Sequence, residues 1–319
     1  MRVLLATDGS HSAAVAAELV RNVPWPKGTS IDAVRVVEER SQESEVGMWP
    51  SVGLIVPREV STAAVQEAED SLVALTTAFR ESGLEASHAV LRGRPADALL
   101  DWIDRHRPDL VIVGNRGVSR FERVLLGSVS GELVDGSPVP VLVARRPTIE
   151  RVVVAVDGSE IAREALATVR RWPFLALADM RTLSVVAAPA AWWPGDIVPG
   201  PETATADQLA TTEAIREHVV IATEAAVALR TAGFRAEPEV LSGSPAHSIV
   251  AFASDWGADL VILGSHGRTG LARLLLGSVA RNVLHHAGSS VLIVRRHAEA
   301  KRGRREDLAA RPWTIVAAH

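Results

Sequence analysis

The chain repeats itself once, and this duplication constrains the fold more than any other feature. VLLATDGSHSAA from Val3 returns as VVVAVDGSEIAR from Val152, and PDLVIVGNRG from Pro108 returns as ADLVILGSHG from Ala258. The offset is 149 positions near the start of each half and 150 later. A period of that size is a whole domain rather than the short repeat of a solenoid. We therefore predict two tandem domains, residues 1–147 and 148–296, followed by a C-terminal extension, 297–319.

Each half alternates short apolar runs with helical segments. Runs that are apolar on both faces and separated by helices are typical of a parallel sheet covered on both sides. The expected fold is α/β, with two tandem flavodoxin-like or Rossmann-like domains, each a five-stranded parallel sheet with helices on both faces. The predicted strands are Val3–Thr7, Ile31–Val37, Glu85–Leu91, Leu110–Val113 and Val141–Ala144, then Val152–Val156, Met180–Val186, Arg235–Leu241, Leu260–Leu263 and Val291–Val294.

Composition excludes several function classes. The net charge of −4 argues against a general nucleic-acid binder, and the absence of Cys excludes disulfides, thiolate catalysis and Cys-ligated zinc. The only lysines are Lys27 and Lys301, and neither lies in a G-K-[ST] string, which excludes a P-loop NTPase. The sequence has no apolar run of transmembrane length and does not begin like a signal peptide, so we expect a cytoplasmic protein without a membrane partner.

A glycine pattern follows the fourth strand of both halves. It reads Gly-x2-Gly-x9-Gly-Ser, and an Asp-Gly-Ser turn follows the first strand of each half. Glycines allow the backbone to approach a ligand closely. A Gly-Ser step before a helix offers N–H groups, a hydroxyl and the positive helix end, which together bind phosphate without lysine. Ligands of such sheets bind at the carboxyl ends of strands, where both motifs are expected.

These motifs stand in the same order in both halves, together with a G-x-P segment, and residues 1–296 resemble two tandem universal stress protein domains of the ATP-binding kind. The resemblance implies one ATP in each half. The backbone near Val36 or Val185 would read the adenine edge, and Asp8 or Asp157 would orient the nucleotide through the ribose or through a metal such as Mg²⁺. The implied nucleotide-binding residues are Ala6, Asp8, Val36, Gly114, Arg116, Gly117, Gly127, Ser128 and Val129, then Ala155, Asp157, Val185, Gly264, His266, Gly267, Arg268, Gly277, Ser278 and Val279.

The implied function is that of a nucleotide-responsive regulator of stress adaptation, acting on an unknown regulatory protein partner. No Ser-His-Asp set, carboxylate pair or metal cluster is readable, so we expect no enzyme, although slow ATP hydrolysis stays open. His285 and His286 do not form a zinc pair, because adjacent residues on a helix do not share a face. The loops differ between the halves, Asn115-Arg116 against Ser265-His266, so the two affinities need not be equal.

Other readings of the same residues remain open. Asp8 and Asp157 could cap the first helices, and the Gly-Ser steps could be helix starts and nothing more. One alternative function is an adenine-nucleotide hydrolase or adenylating ligase, although such ligases usually carry S-G-G-x-D-S where this chain has T-D-G-S and V-D-G-S. Another is an assembly module that has lost nucleotide binding, against which the retained glycines argue.

The fifth strand of each half is predicted at a sheet edge. An exposed edge is a template for pairing with another strand, and in the family such edges pair domains. We therefore expect the two halves to dock pseudo-symmetrically through these strands, with a homodimer as a further assembly.

Overall fold

The computed structural model describes residues 1–38, 61–115, 126–187, 201–267 and 276–295, with the backbone alone over 201–211. The first half contains β1 (Arg2–Ala6), α1 (His11–Asn22), β2 (Ser30–Val37), α2 (Thr62–Glu81), β3 (Glu85–Arg92), α3 (Pro95–His106), β4 (Leu110–Gly114), α4 (Ser128–Gly136) and β5 (Val141–Ala144). The second contains β6 (Arg151–Ala155), α5 (Glu160–Arg170), a short 3-10 turn (Pro173–Leu175), β7 (Asp179–Ala187), α6 (Pro201–Thr231), β8 (Arg235–Gly243), α7 (Pro245–Asp255), β9 (Leu260–Gly264), α8 (Ser278–His286) and β10 (Ser290–Val294). Every predicted strand is confirmed, with ends that differ by at most two residues.

The strand order places the candidate site. In the first half it is β3-β2-β1-β4-β5, all parallel, and the second half repeats it as β8-β7-β6-β9-β10. This is the Rossmann-like order of the two that the sequence leaves open. The chain moves outward from β1 to β3 and then returns to β4, so the order reverses between β1 and β4, and again between β6 and β9. Crevices at such switch points are where ligands bind in open α/β sheets.

The two halves join through their fifth strands. β5 pairs antiparallel with β10, with Val143 opposite Val291, and all ten strands form one sheet. The prediction of pseudo-symmetric docking is therefore confirmed. Side chains alternate along these strands, so Leu142 and Leu292 enter the apolar cluster on one face while Val143 and Val291 enter the cluster on the other. Both clusters run through the junction, and the halves share their cores.

An aromatic contact adds to the junction. Trp25 and Phe174 follow α1 and α5 at equivalent positions of the two halves, and their ring centroids lie 4.7 Å apart. Trp172 stacks on Phe174 at 5.5 Å, and the Trp25 indole N–H donates to the carbonyl of Val20 at 2.7 Å. The chain segments that follow the first helix of each half therefore pack against each other.

His285, near the end of α8, is expected to make the stability of the folded chain depend on pH. Burial lowers its pKa, as do the neighbouring His286, Arg281 and Arg145, and the opposing effect of Asp135 is the smallest of these. The unfolded chain therefore takes up the His285 proton at a higher pH than the folded chain does. We expect the free energy of unfolding to fall as the pH drops through about 6.5, the ordinary histidine pKa.

Urea unfolding at a series of pH values measures this effect. His285→Asn should flatten the acid side of the profile, whereas His247→Asn, at an exposed position of α7, should leave it as in the wild type. An unchanged acid slope in His285→Asn would contradict the assignment.

Candidate functional site

The Asp-Gly-Ser turn joins the first strand of each half to the first helix. Gly9 and Gly158 both have φ +77°, a conformation that favours glycine. Asp8 Oδ1 accepts the N–H of Ser10 at 3.0 Å, and the equivalent bond in the second half is 2.9 Å long. Each aspartate is thus fixed at the carboxyl end of the strand next to the switch point.

Capping of the first helices belongs to the serines rather than to the aspartates. Ser10 Oγ accepts the N–H of Ala13 at 3.2 Å, and Ser159 Oγ accepts the N–H of Ala162 at 3.1 Å. Helix capping by Asp8 or Asp157, left open by the sequence, is not what the structure shows, because each aspartate instead holds the turn before the cap.

Loss of either serine cap should destabilise the fold modestly. We expect Ser10→Ala and Ser159→Ala each to lower the free energy of unfolding by about 1 kcal/mol, since a first-turn N–H loses its acceptor. Ser71→Ala, at an exposed position within α2, is the matched control and should change it by less than about 0.5 kcal/mol. Urea denaturation compares the three, and equal effects would refute the capping role.

The end of the second strand turns backbone groups toward the crevice. Thr7 N–H donates to the carbonyl of Val34 at 2.9 Å, so the backbone groups of Val34 face β1. Alternate residues of a strand face the same neighbour, and Val36 therefore directs its N–H and carbonyl to the side where β1 has already ended. Leu183, which accepts from Val156 at 2.8 Å, sets the same direction for Val185.

Gly114 and Gly264 end the fourth strands, and both serve helix packing. A Cβ atom at Gly114 would lie 2.7 Å from the carbonyl carbon of Ser12 and 2.8 Å from the nitrogen of Ala13. A Cβ atom at Gly264 would collide with the Cγ2 atom of Ile161 in α5. The first glycine of each pattern thus lets the first helix approach the switch point, and its direct contact with a ligand stays a prediction.

The glycine loop returns to its own beginning. Gly127 N–H donates to the carbonyl of Asn115 at 2.8 Å, and Gly277 N–H donates to the carbonyl of Ser265 at 2.7 Å. The N-terminus of α4 or α8 is thereby held beside the end of β4 or β9. In the second half a Cβ atom on Gly267 would lie 2.8 Å from Asp157 Oδ2, so loop and aspartate are in contact distance.

Each loop also holds a buried polar atom without a hydrogen-bond partner among the described residues. These atoms are Asn115 Oδ1 and His266 Nε2. The other ring nitrogen of His266 lies 3.1 Å from Ser265 Oγ, which leaves Nε2 as the unsatisfied one. Buried polar groups nearly always have a hydrogen-bond partner, and a polar ligand in each crevice would supply the missing one.

The halves differ beside the turn. The Arg35 guanidinium lies 3.5 Å from the position of a Cβ atom on Gly9 and pairs with Glu67 at 3.4 Å. Its equivalent, Ser184, is fully buried, donates to the carbonyl of Val156 at 2.7 Å and contacts His218 Nδ1 at 2.8 Å. At this position the first crevice therefore has a guanidinium where the second has a serine hydroxyl. Sequence reasoning missed this pair, although the mismatch of Arg35 with Ser184 at the 149-residue offset is visible.

The remaining predicted residues that the structure describes lie at the same two crevices. Ala6 and Ala155 end β1 and β6. Ser128, Val129, Ser278 and Val279 form the first turns of α4 and α8. Three predicted residues, Arg116, Gly117 and Arg268, lie outside the described residues. Within the described parts of the chain, no group of three or more His, Asp or Glu could hold a metal ion, and no helix has the length and apolar character needed to span a membrane.

Comparison with known proteins agrees with these observations. The model of the universal stress protein family matches residues 1–145 and 148–295. Universal stress protein Slr1230 of Synechocystis is 26% identical over 311 residues, covering 92% of this chain and 99% of the relative. Universal stress protein Rv2005c of Mycobacterium tuberculosis is 32% identical over 203 residues, 59% of this chain and 62% of the relative. A solved universal stress protein from Archaeoglobus fulgidus has the same fold, with a TM-score of 0.61, 19% identity and coverage of 92% and 98%.

Proposed function

The chain belongs to the universal stress protein family, and on that premise we propose that each half binds one ATP and that the protein is a nucleotide-responsive regulator of stress adaptation. One observation carries the proposal. The glycine loop of each half holds a buried polar atom, Asn115 Oδ1 or His266 Nε2, that has no hydrogen-bond partner among the described residues. Both loops lie at switch points, where nucleotides bind in Rossmann-like sheets.

Different residues of each crevice are proposed to bind the adenine, the ribose and the phosphates. The outward backbone groups of Val36 and Val185 suit the donor and acceptor pattern of an adenine edge. The N-termini of α4 and α8, each beginning at a Gly-Ser step, suit the phosphates, because their first N–H groups and the helix dipole favour anions. The ribose then falls near the aspartate of the Asp-Gly-Ser turn.

Mg²⁺ fits this arrangement as a companion of ATP. The ion usually takes one or two protein carboxylates together with phosphate oxygens and water. Among the described residues, the aspartate of the Asp-Gly-Ser turn, Asp8 or Asp157, offers each crevice a carboxylate, which is oriented by its bond to the following turn. When bound, the ion would neutralise phosphate charge, which is useful in a chain that has few lysines.

Regulation, rather than catalysis, is the proposed output. ATP would change the conformation or the partner of the protein, which requires different affinities of ATP for the two states. The proposed partner is a regulatory protein, the proposed setting is the cytoplasm, and homodimerisation is an additional proposed assembly. The shared cores of the two halves support a conformational response to ATP, because packed side chains connect one crevice to the other.

Isothermal titration calorimetry with ATP, ADP, AMP, cyclic AMP and GTP tests the proposal. We expect ATP to bind and GTP to bind more weakly, since guanine presents the reverse donor and acceptor pattern to the Val36 and Val185 backbones. Absence of binding by every nucleotide would favour the assembly module. Rapid release of phosphate from ATP by the same preparation would favour the enzyme.

A further inference from the structure

The junction of the halves carries two equivalent arginines with unequal surroundings. Arg145 follows β5 and Arg295 follows β10, at the 150-residue offset of the later part of the repeat. Arg145 donates from Nη1 to the carbonyl of Ser289 at 3.2 Å and from Nη2 to the carbonyl of Leu284, near the C-terminal end of α8. Arg145 therefore satisfies its guanidinium N–H groups with two backbone carbonyl oxygens, and the equivalent arginine needs acceptors of the same kind.

Arg295 lacks such acceptors in the part of the chain that the structure describes. Its Nε and Nη2 atoms are both buried and have no hydrogen-bond partner there. Burial lowers the pKa of Arg295, and the opposing effect of Asp135 is smaller. A buried donor without an acceptor loses its hydrogen bonds to water and gains none in the folded protein, which costs free energy. Two such donors on one side chain therefore require an explanation.

The two unpartnered atoms form one recognition edge. The N–H bonds of Nε and Nη2 run nearly parallel on one side of the guanidinium plane, which is the fork that binds a carboxylate or a phosphate through two hydrogen bonds. The neighbouring carboxylate does not fill this edge, since Asp135 Oδ1 is itself buried without a hydrogen bond and lies 3.6 Å from Arg281 Nη2.

The local field favours an anion as well. Among the described residues, Asp135 Oδ1 lies 3.6 Å from Arg281 Nη2 and Asp135 acts on the pKa of Arg295, while Arg145 and Arg281 both act on the neighbouring His285. Three guanidinium groups therefore accompany this carboxylate. His285 reports this excess of positive charge, because its neighbours Arg281 and Arg145 lower its pKa in the same direction as burial does, and the influence of Asp135 does not offset them. An oxyanion beside Arg295 and Arg281 would neutralise the positive charge of the arginines that Asp135 alone does not neutralise.

We propose that this end of the junction binds a small oxyanion on the Nε–Nη2 edge of Arg295, with Arg281 as the second cation and Asp135 as the residue that positions Arg281. Two sources share this chemistry: free phosphate, and a side-chain carboxylate of residues 296–319. None of Arg295, Arg281 and Asp135 is a residue proposed to bind ATP, and the oxyanion site does not depend on that proposal.

Thermal unfolding of the full chain tests the site. The protein is saturated with ATP, so that the glycine loops are occupied, and inorganic phosphate is compared with chloride at equal ionic strength. If free phosphate is the ligand, it should raise the Tm of the wild type by mass action. Arg295→Gln should weaken the apparent phosphate affinity about 10- to 100-fold, because a charge-assisted bidentate contact is lost. Arg216→Gln, at an exposed position of α6, is the matched control and should respond like the wild type.

Two further variants keep the test decisive. Arg295→Lys retains the charge but not the fork, and it should also lose most of the response. Arg281→Gln should reduce the phosphate-induced rise in Tm by less than Arg295→Gln does. If no tail carboxylate occupies the site, Arg295→Gln removes an uncompensated buried cation and should unfold in chloride at a Tm no lower than that of the wild type. A clear phosphate response of the same size in wild type, Arg295→Gln and Arg295→Lys would overturn the proposal.

The source of the oxyanion is resolved by a full-length variant in which the side-chain carboxylates of the tail are neutralised, combining Glu299→Gln, Glu306→Gln and Asp307→Asn. If free phosphate is the ligand, the wild type and this variant respond alike. If the tail supplies a carboxylate, only the neutralised variant responds strongly. Absence of a response in both would contradict the oxyanion site, whatever the outcome of ATP titrations.

Discussion

Gly114→Ala is expected to lower the free energy of unfolding by about 3 kcal/mol, the upper part of the range for an overpacked core. The added Cβ atom would lie 2.7–2.8 Å from the backbone of Ser12 and Ala13. These are backbone atoms of α1, so relief requires the whole helix to move away from β4. Ser130 Oγ, which donates to the Gly114 carbonyl at 2.7 Å, would be strained by the same movement. Urea denaturation measures the loss.

Gly131→Ala is the matched control and should have the opposite sign. Gly131 lies within α4, and a Cβ atom there would meet only Leu126 Cδ2, at the ordinary distance of 3.5 Å. Alanine should therefore stabilise the protein by about 0.5–1 kcal/mol through helix propensity. If Gly114→Ala were as harmless as Gly131→Ala, the close approach of α1 to the end of β4 would be wrong.

If each half binds one ATP as proposed, Gly277→Val is expected to weaken ATP binding by the second half. Gly277 has φ −61° and ψ 155°, which any residue adopts, so the effect would come from the side chain. Its Cβ atom would lie 3.2 Å from the carbonyl oxygen of Ser265 and 3.3 Å from His266 Cα. A branched side chain would push the loop away from the start of α8 and weaken ATP at the second crevice by at least about tenfold, since a displaced loop loses several bonds to the ligand at once.

The same substitution at Gly288 is the control. Gly288 has no atom within 4 Å of the position of a Cβ, and it lies outside the glycine loop. Gly288→Val should therefore keep two ATP molecules per chain in a calorimetric titration. Retention of two equally tight sites in Gly277→Val would show that the second loop does not hold the nucleotide.

The hydrophobic periodicity of the sequence predicted where the strands are but not which strands lie next to each other in the sheet. Apolar runs such as Leu110–Val113 and Leu260–Leu263 are buried on both faces, and this burial is a local property of the sequence. The order of strands is not local, since the same runs fit a flavodoxin-like or a Rossmann-like sheet. The pairing of β5 with β10 could be predicted because the duplication places two equivalent edges in one chain.

The candidate site was predictable where the motif is continuous and not where it depends on packing. The Asp-Gly-Ser turn and the Gly-Ser helix starts lie where the sequence predicts them. The packing role of Gly114 was not predictable, because it depends on a helix about 100 residues away in the chain. Arg35 was also missed, since only the folded chain brings its guanidinium to the turn at Gly9.

Native mass spectrometry of the full-length chain with ATP tests the central claim most directly. Two crevices of the same construction should give a species with two ATP molecules per chain at saturation. At the ATP concentration that just saturates the wild type, the Gly277→Val variant should carry mainly one ATP molecule, and Gly288→Val should carry two. A wild-type chain that takes up no ATP, or that saturates at one, would contradict the account of two nucleotide sites.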